Sequence, residues 1–438
     1  MRRWIVAMTK MAAMALLASC ATTPAVAPSA VQPSAASAAA TPADAKPPAT
    51  RALRISGYYA GSDVYEARNY PVSAIPAELL THVFYCFLKI DSNYTLVSYD
   101  PNANTVMKNR NDPPNLKYRG NFAQLQLLRK RNRALKVIVS VGGGNLSSNF
   151  STMAASGATR KVFADSCLAF LRKYNFDGLD IDWEFPVEGG QANVVHSPDD
   201  TKNLSLLLQE LRKTLDASAL TDGKSYELGL TVSPNPTFAQ HIDVAACARS
   251  VDFLNIMTYD FHGNWDNAAY HVAPLFPSTN DPGNRWENSR KMNVRDAVDC
   301  YLLRGMPARK VNIGIPLYGV GWRIAKGLKK PLYAPTVDPS RSEEIGTLDY
   351  ASVQQMIARG LHPSWDVISH APFIYNPATG LFVSYDDGRS VTEKVDFVVQ
   401  KGLGGVFFWE LSSDRGGDLM NFTWWAIGRA RAEDGLAP

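Results

Sequence analysis

From residue 54 onward, short apolar runs alternate with helical patterns. Eight runs read as strands: 54–60, 82–90, 136–143, 176–185, 227–234, 251–260, 310–319 and 404–411. Between them lie segments with helical period. Phe122, Leu125 and Leu128 share one face near 121–133, and Phe163, Cys167, Phe170 and Tyr174 share one near 159–174. Further helices are expected near 200–217, 293–305 and 391–401. Eight strand-then-helix units predict an α/β fold, a (β/α)8 TIM barrel over residues 51–435. An open doubly wound sheet competes, but it would usually carry a glycine-rich phosphate turn after its first strand, and none follows here. The interval between the seventh and eighth runs is too long for one helix. It contains "APFIYNPATGLFVSYDD" (371–387), two strand-like runs around a turn, and a short helical pattern near 348–359. Residues 323–386 are therefore expected to form a small α+β insertion between strand 7 and helix 7. A second long loop, 267–291, follows strand six.

The fourth run departs from a simple buried strand. Residues Asp177 to Pro186 read "DGLDIDWEFP". Leu179, Ile181, Trp183 and Phe185 suit contact with helices, which turns Asp180, Asp182 and Glu184 towards the lumen. Successive carboxylates on that face stand roughly 6.5–7 Å apart. Asp177 has the other parity and is expected to fix the strand entry. No Lys or Arg occupies a comparable inner position on the eight runs, apart from strand ends. Buried acids without cations must in part hold protons. Glu184 comes last, at the carboxyl rim where barrels place their chemistry. A carboxylic acid kept protonated near neutral pH can serve as a general acid.

Composition and charge narrow the picture. The 438 residues are 46% hydrophobic and carry a net charge of +4 with both signs interspersed, so no nucleic-acid partner is indicated. The seven His are scattered and the cysteines lack ligand spacing, so neither a metal nor another cofactor is expected. Cys86, Cys167, Cys247 and Cys300 allow three pairings or four buried thiols, and the spacing does not choose. At the amino end, "MRRWIVAMTK" and the apolar run after it read as a signal peptide over 1–19, too short to span a bilayer. The run ends in "LASC" at Cys20, which resembles the lipobox of bacterial lipoproteins. That resemblance implies lipidation at Cys20 and outer-membrane attachment through the lipid alone. Ordinary secretion, with cleavage near Ala21 to Ala27, is the alternative. Residues 20–50 are almost wholly Ala, Pro, Ser and Thr and are expected to be a disordered tether.

Several stretches together resemble a known family. "DGLDIDWEFP" is similar to the DxxDxDxE signature of glycoside hydrolase family 18, the chitinases and their relatives. "SVGGG" (140–144), "MTYDFHGNWD" (257–266) and "VFFWELSSD" (406–414) resemble that family's motifs on strands three, six and eight, and "GYYA" and Phe87 match its first two strands. The resemblance covers about residues 53–425. It implies a retaining hydrolase of β-1,4-linked N-acetylglucosamine polymers, with the substrate's own 2-acetamido group as nucleophile. Glu184 is then the general acid and base, Asp182 holds the acetamide N–H, Asp180 shares a proton with Asp182, and Tyr259 donates to the acetamide oxygen. Trp409 is implied as the floor under the sugar. Asp260, Met257, Tyr58, Phe87, Trp265 and Tyr318 are candidate substrate contacts. Ser140, Gly142 and Gly143 are expected to support Asp180 rather than touch sugar. Val320 stands where many relatives carry Arg, which implies a lost charged contact in the cleft. The implied partner is chitin or an N-acetylglucosamine oligosaccharide, bound by a monomer. A glycan-core endo-β-N-acetylglucosaminidase, a cell-wall glycan hydrolase and a non-catalytic chitin-binding lectin are the competing readings. The presence of Glu184, Asp182 and Tyr259 argues against the lectin.

Overall fold

Eight strands pair in parallel and close on themselves in this computed structural model, which describes residues 53–109, 112–281, 292–338 and 346–433. The expected signal peptide, the tether and Cys20 lie outside the described residues, as do 282–291 of the long loop and 339–345 of the expected insertion. The strands are β1 (Arg54–Ala60), β2 (His82–Ile90), β3 (Lys136–Gly142) and β4 (Gly178–Asp182), then β5 (Glu227–Val232), β6 (Phe253–Ile256), β7 (Val311–Pro316) and β8 (Gly405–Trp409). β1 pairs with both β2 and β8, which closes the ring. The fold is the expected (β/α)8 barrel.

The helical layer is less regular than the expected eight units. β1 is followed by three short 3-10 turns, in a segment interrupted by Pro71 and Pro76. β5 is followed by two short helices, Pro236–Ala239 and Val244–Ala248. Longer helices include Asp200–Asp222, Gly157–Tyr174, capped by Ser156 and ended by left-handed Asn175, and Gly388–Gln400, opened by an Asp387–Ser390 capping box.

Strand parity sorts the side chains into two cores. Leu179, Ile181 and Trp183 join the large cluster between sheet and helices, and Tyr58, Phe84, Phe253 and Phe407 fill the lumen. None of the four cysteines forms a disulfide.

The strand ends fall short of the expected ones. β4 stops at Asp182 rather than 185, because the Glu184 N–H bonds the Ser147 hydroxyl (2.9 Å) instead of a neighbouring strand. The expected run 310–319 is divided. β7 ends at Pro316, the Leu317 N–H makes a last bond to the Trp409 carbonyl (2.7 Å), and Tyr318–Ile324 starts a second sheet. That antiparallel sheet has the order 336–338, 318–324, 381–384, 371–376, 363–366, with 346–349 also paired to 318–324. It therefore begins at Tyr318, ahead of the expected 323, and the helix Tyr350–Ala358 packs beside it. Its return to the barrel is pinned by a buried ion pair, Lys394 Nζ to Asp386 Oδ2 at 2.6 Å.

Asp177 lies at the entry to β4. Its carboxylate accepts from the Val137 N–H (2.8 Å) and pairs with Arg129, while Lys224 stands 3.9 Å away. Asp177→Ala would leave the Val137 N–H without its acceptor and the half-buried Arg129 guanidinium without its carboxylate, though not without its bonds to Gln126 and Asn175. The expected loss is about 1–3 kcal/mol of unfolding free energy, with turnover per folded molecule unchanged. Urea unfolding together with active-site titration checks both parts.

Candidate active site

The exit of β4 carries three carboxyls in three different settings. Asp180 is fully buried. Its Oδ2 accepts from the Tyr58 hydroxyl (2.9 Å) and the Ser140 hydroxyl (2.7 Å), and its Oδ1 from Thr231 (2.8 Å). Burial raises its pKa to about 6, against the downward pull of those three hydroxyls. Asp182 is 3% exposed, and its Oδ1 is buried without a hydrogen-bond partner. Burial first, then the charges of Glu184 and Asp180, hold its carboxyl well above the ordinary range. Among the described residues no hydrogen bond joins Asp180 to Asp182, so the two communicate through charge. Glu184 is half-buried past the strand end. Burial and the nearby Asp260 raise it to about 7, while a bond from the Gly144 N–H opposes the shift.

Close backbone packing holds this row in place. The Gly143 N–H donates to the Asp182 carbonyl (2.8 Å). A Cβ on Gly142 would fall 2.2 Å from that carbonyl, and one on Gly143 would meet the Phe87 ring at 2.5 Å, both at positive φ. Those two glycines and Ser140 thus support the acids, as expected.

The facing wall comes from β6, the second sheet and β8. Tyr259 is buried beside Asp182, and the charges of Asp182, Asp260 and Glu184 all act on its hydroxyl. Tyr318 donates to Asp260 Oδ1 at 2.6 Å, and its ring meets Tyr259 edge-on. Asp260 has a left-handed backbone (φ +52) and stays open to solvent, with protein packed around its carboxylate. Its pKa is raised by burial, opposed by the Tyr318 bond. Met257 is half-buried against the same cluster. Trp409 ends β8, half-buried, with Phe87 stacked at 5.7 Å and Tyr58 beneath at 5.5 Å.

One expected contact is committed to the protein itself. Tyr58 is 1% exposed, and its hydroxyl is committed to Asp180, Thr231 and Asn255, so it supports the acids from below rather than lining a cleft. Trp265, by contrast, is 52% exposed on the loop after β6, with its ring over Gly263. Val320 is buried in the apolar cluster beside Tyr318, not on an open wall.

Sequence reading missed Thr231, Ser147 and the Asn255–Asn312 pair beneath Tyr58 (2.8 Å). A lone polar residue inside an apolar strand could have flagged Thr231. Ser147 lies in a loop and carries no such signal. A second buried acid pair also escaped notice. Burial and the adjacent Glu410 push Asp63 up to about 7, just beyond Trp409.

A family model, Glycosyl hydrolases family 18, matches residues 54–414. Chitinase A1 of Niallia circulans is 36% identical over 409 residues, covering 85% of this chain and 58% of its own length. Endochitinase 1 of Metarhizium robertsii is 34% identical over 365 residues, covering 82% of this chain and 81% of its own. Among solved structures, chitinase ChiA74 from Bacillus thuringiensis superposes with a TM-score of 0.78 at 32% identity, covering 86% of this chain and 70% of that one. The chain thus spans little more than half of the first relative and most of the second. A match that runs from the first barrel strand past the last one makes this chain a member of glycosyl hydrolase family 18.

Proposed function

We propose that the protein hydrolyses chitin and chitooligosaccharides, β-1,4-linked polymers of N-acetylglucosamine, with retention of configuration and with the substrate's acetamido group as nucleophile. The observation that carries this reading is the unpartnered, buried Oδ1 of Asp182 beside Glu184. A buried acceptor without a donor is costly, and the N–H of a 2-acetamido group supplies the missing donor. Most glycosidases set two carboxylates across the scissile bond, and family 18 is a noted exception.

Glu184, protonated, gives its proton to the glycosidic oxygen as the C1–O bond breaks. The acetamide carbonyl oxygen closes on C1 and forms an oxazolinium ion. Asp182 accepts from the acetamide N–H at its open Oδ1. Tyr259 orients the acetamide oxygen beneath C1. Glu184, now a carboxylate, takes a proton from water as that water attacks C1 and reopens the ring. Trp409 and Phe87 offer the aromatic floor.

Glu184→Gln removes the transferable proton and keeps the shape. Release of oligosaccharides from chitohexaose should fall by at least about a thousandfold with oligomer binding retained, on the scale of general acid–base catalysis. Turnover of that variant near the wild-type rate would sink the mechanism. Wild-type activity on a high-mannose glycopeptide, with chitohexaose left intact, would point instead to a glycan-core enzyme.

The pH profile carries a second test. The acid form of Glu184 is the active one, so kcat/KM should decline as pH rises through about 7. The Asp260 charge contributes to that raised value. Asp260→Asn keeps an acceptor for Tyr318 and removes the charge, so the alkaline limb should move to lower pH. An unmoved limb would show that Asp260 does not act on the acid.

A further inference from the structure

Charge is unevenly placed on the folded part of the chain. Five of the 45 basic residues and one of the 41 acidic ones precede Arg54, so the remainder balances at forty against forty. The base of the barrel, where helices return to strands, does not share that balance. The loop from Arg129 to Lys136 holds five cations and no acid. It leads into β3. The segment from Arg304 to Lys310 holds three cations and no acid and leads into β7, four strands away around the ring of eight. Lys224 and Arg249 lie in the loops between them.

The nearby acids do not neutralise this face. Asp177 is shared by Arg129 and Lys224, Glu78 is paired with Arg131, and Asp252 with Arg212. Lys130, Arg133 and Arg309 are exposed and make no ion pair among the described residues. The cations also oppose one another. Burial lowers the Lys310 pKa, and Arg309, Arg54 and Arg212 lower it further against Asp252. Arg129 and Lys136 act likewise on Lys224. Each loop follows a helix carboxyl terminus, where one or two cations offset the helix dipole. Five in eight residues, on a face where cations repel, exceed that need.

The described chain enters the fold on this same face. Leu53 leads into Arg54 at the start of β1, at the opposite end of the strands from Glu184. The residues before it carry the basic, apolar stretch and the segment rich in Ala and Pro. We propose that the base of the barrel is a membrane-facing surface that takes anionic lipid headgroups and directs the active-site cleft away from the bilayer. Guanidinium and ammonium groups bind headgroup phosphates by charge-assisted hydrogen bonds. The proposal does not depend on the substrate reading above.

The test uses the full chain with vesicles of phosphatidylcholine alone and of phosphatidylcholine with phosphatidylglycerol. Partition should favour the anionic vesicles and weaken as salt rises. The triple variant Lys130→Gln, Arg133→Gln, Arg309→Gln should lose roughly fivefold in partition per removed cation at low salt. Its Tm and its hydrolysis of soluble chitohexaose should stay at wild-type values. Equal partition of variant and wild type would overturn the proposal and assign any anionic preference to the basic stretch before Arg54. A lowered Tm with unchanged partition would assign the cations to structure. Salt-sensitive binding to duplex DNA, without a preference among vesicles, would assign the face to nucleic acid.

Discussion

Three carboxyls crowd one end of a short strand with no cation facing them, and the site is built around that constraint. Burial alone would protonate all three. The barrel separates them by giving each a different set of neighbours. Hydroxyls from β1, β3 and β5 converge on Asp180 and pull its pKa back towards the ionised range. Asp182 receives no such donor and feels charge from both sides, so its carboxyl is held well above the ordinary range. Glu184 lies past the strand end, close to neutrality. One row of acids thus meets three different environments: hydroxyl donors at Asp180, no donor at Asp182 Oδ1, and a place past the strand end at Glu184.

The second sheet completes the site rather than merely decorating the rim. Tyr318 is its first residue, and its hydroxyl donates to Asp260. Asp260 in turn acts on Glu184. The buried Lys394–Asp386 pair fixes where the sheet returns to the barrel, and the Asp386 charge also reaches Tyr318. Such a pair is costly to desolvate and destabilising to break, so it favours one geometry over close alternatives. The two ends of the barrel then differ in kind: the carboxyl end gathers acids and aromatic rings, and the base gathers cations.

Much of this was legible in the chain. Alternation on "DGLDIDWEFP" determined which side chains enter the lumen, because a strand's period of two leaves no freedom once one face must meet helices. The count of apolar runs determined the barrel, and the wrong parity of Asp177 placed it at the strand entry, where it binds the Val137 N–H. Only the tertiary structure decided how each acid is treated. Ser147, Thr231 and Asn255 reach the site across gaps in sequence that no local pattern spans, and the burial that sets the carboxyl pKa values is a property of the closed ring. Tyr58 shows the difference most clearly. Its sequence position allowed a place on the cleft wall, but in the closed barrel its hydroxyl lies under Asp180, within reach of three other strands. Sequence period determines facing; depth within the barrel, which decides whether a side chain meets substrate or another side chain, exists only once the strands have closed.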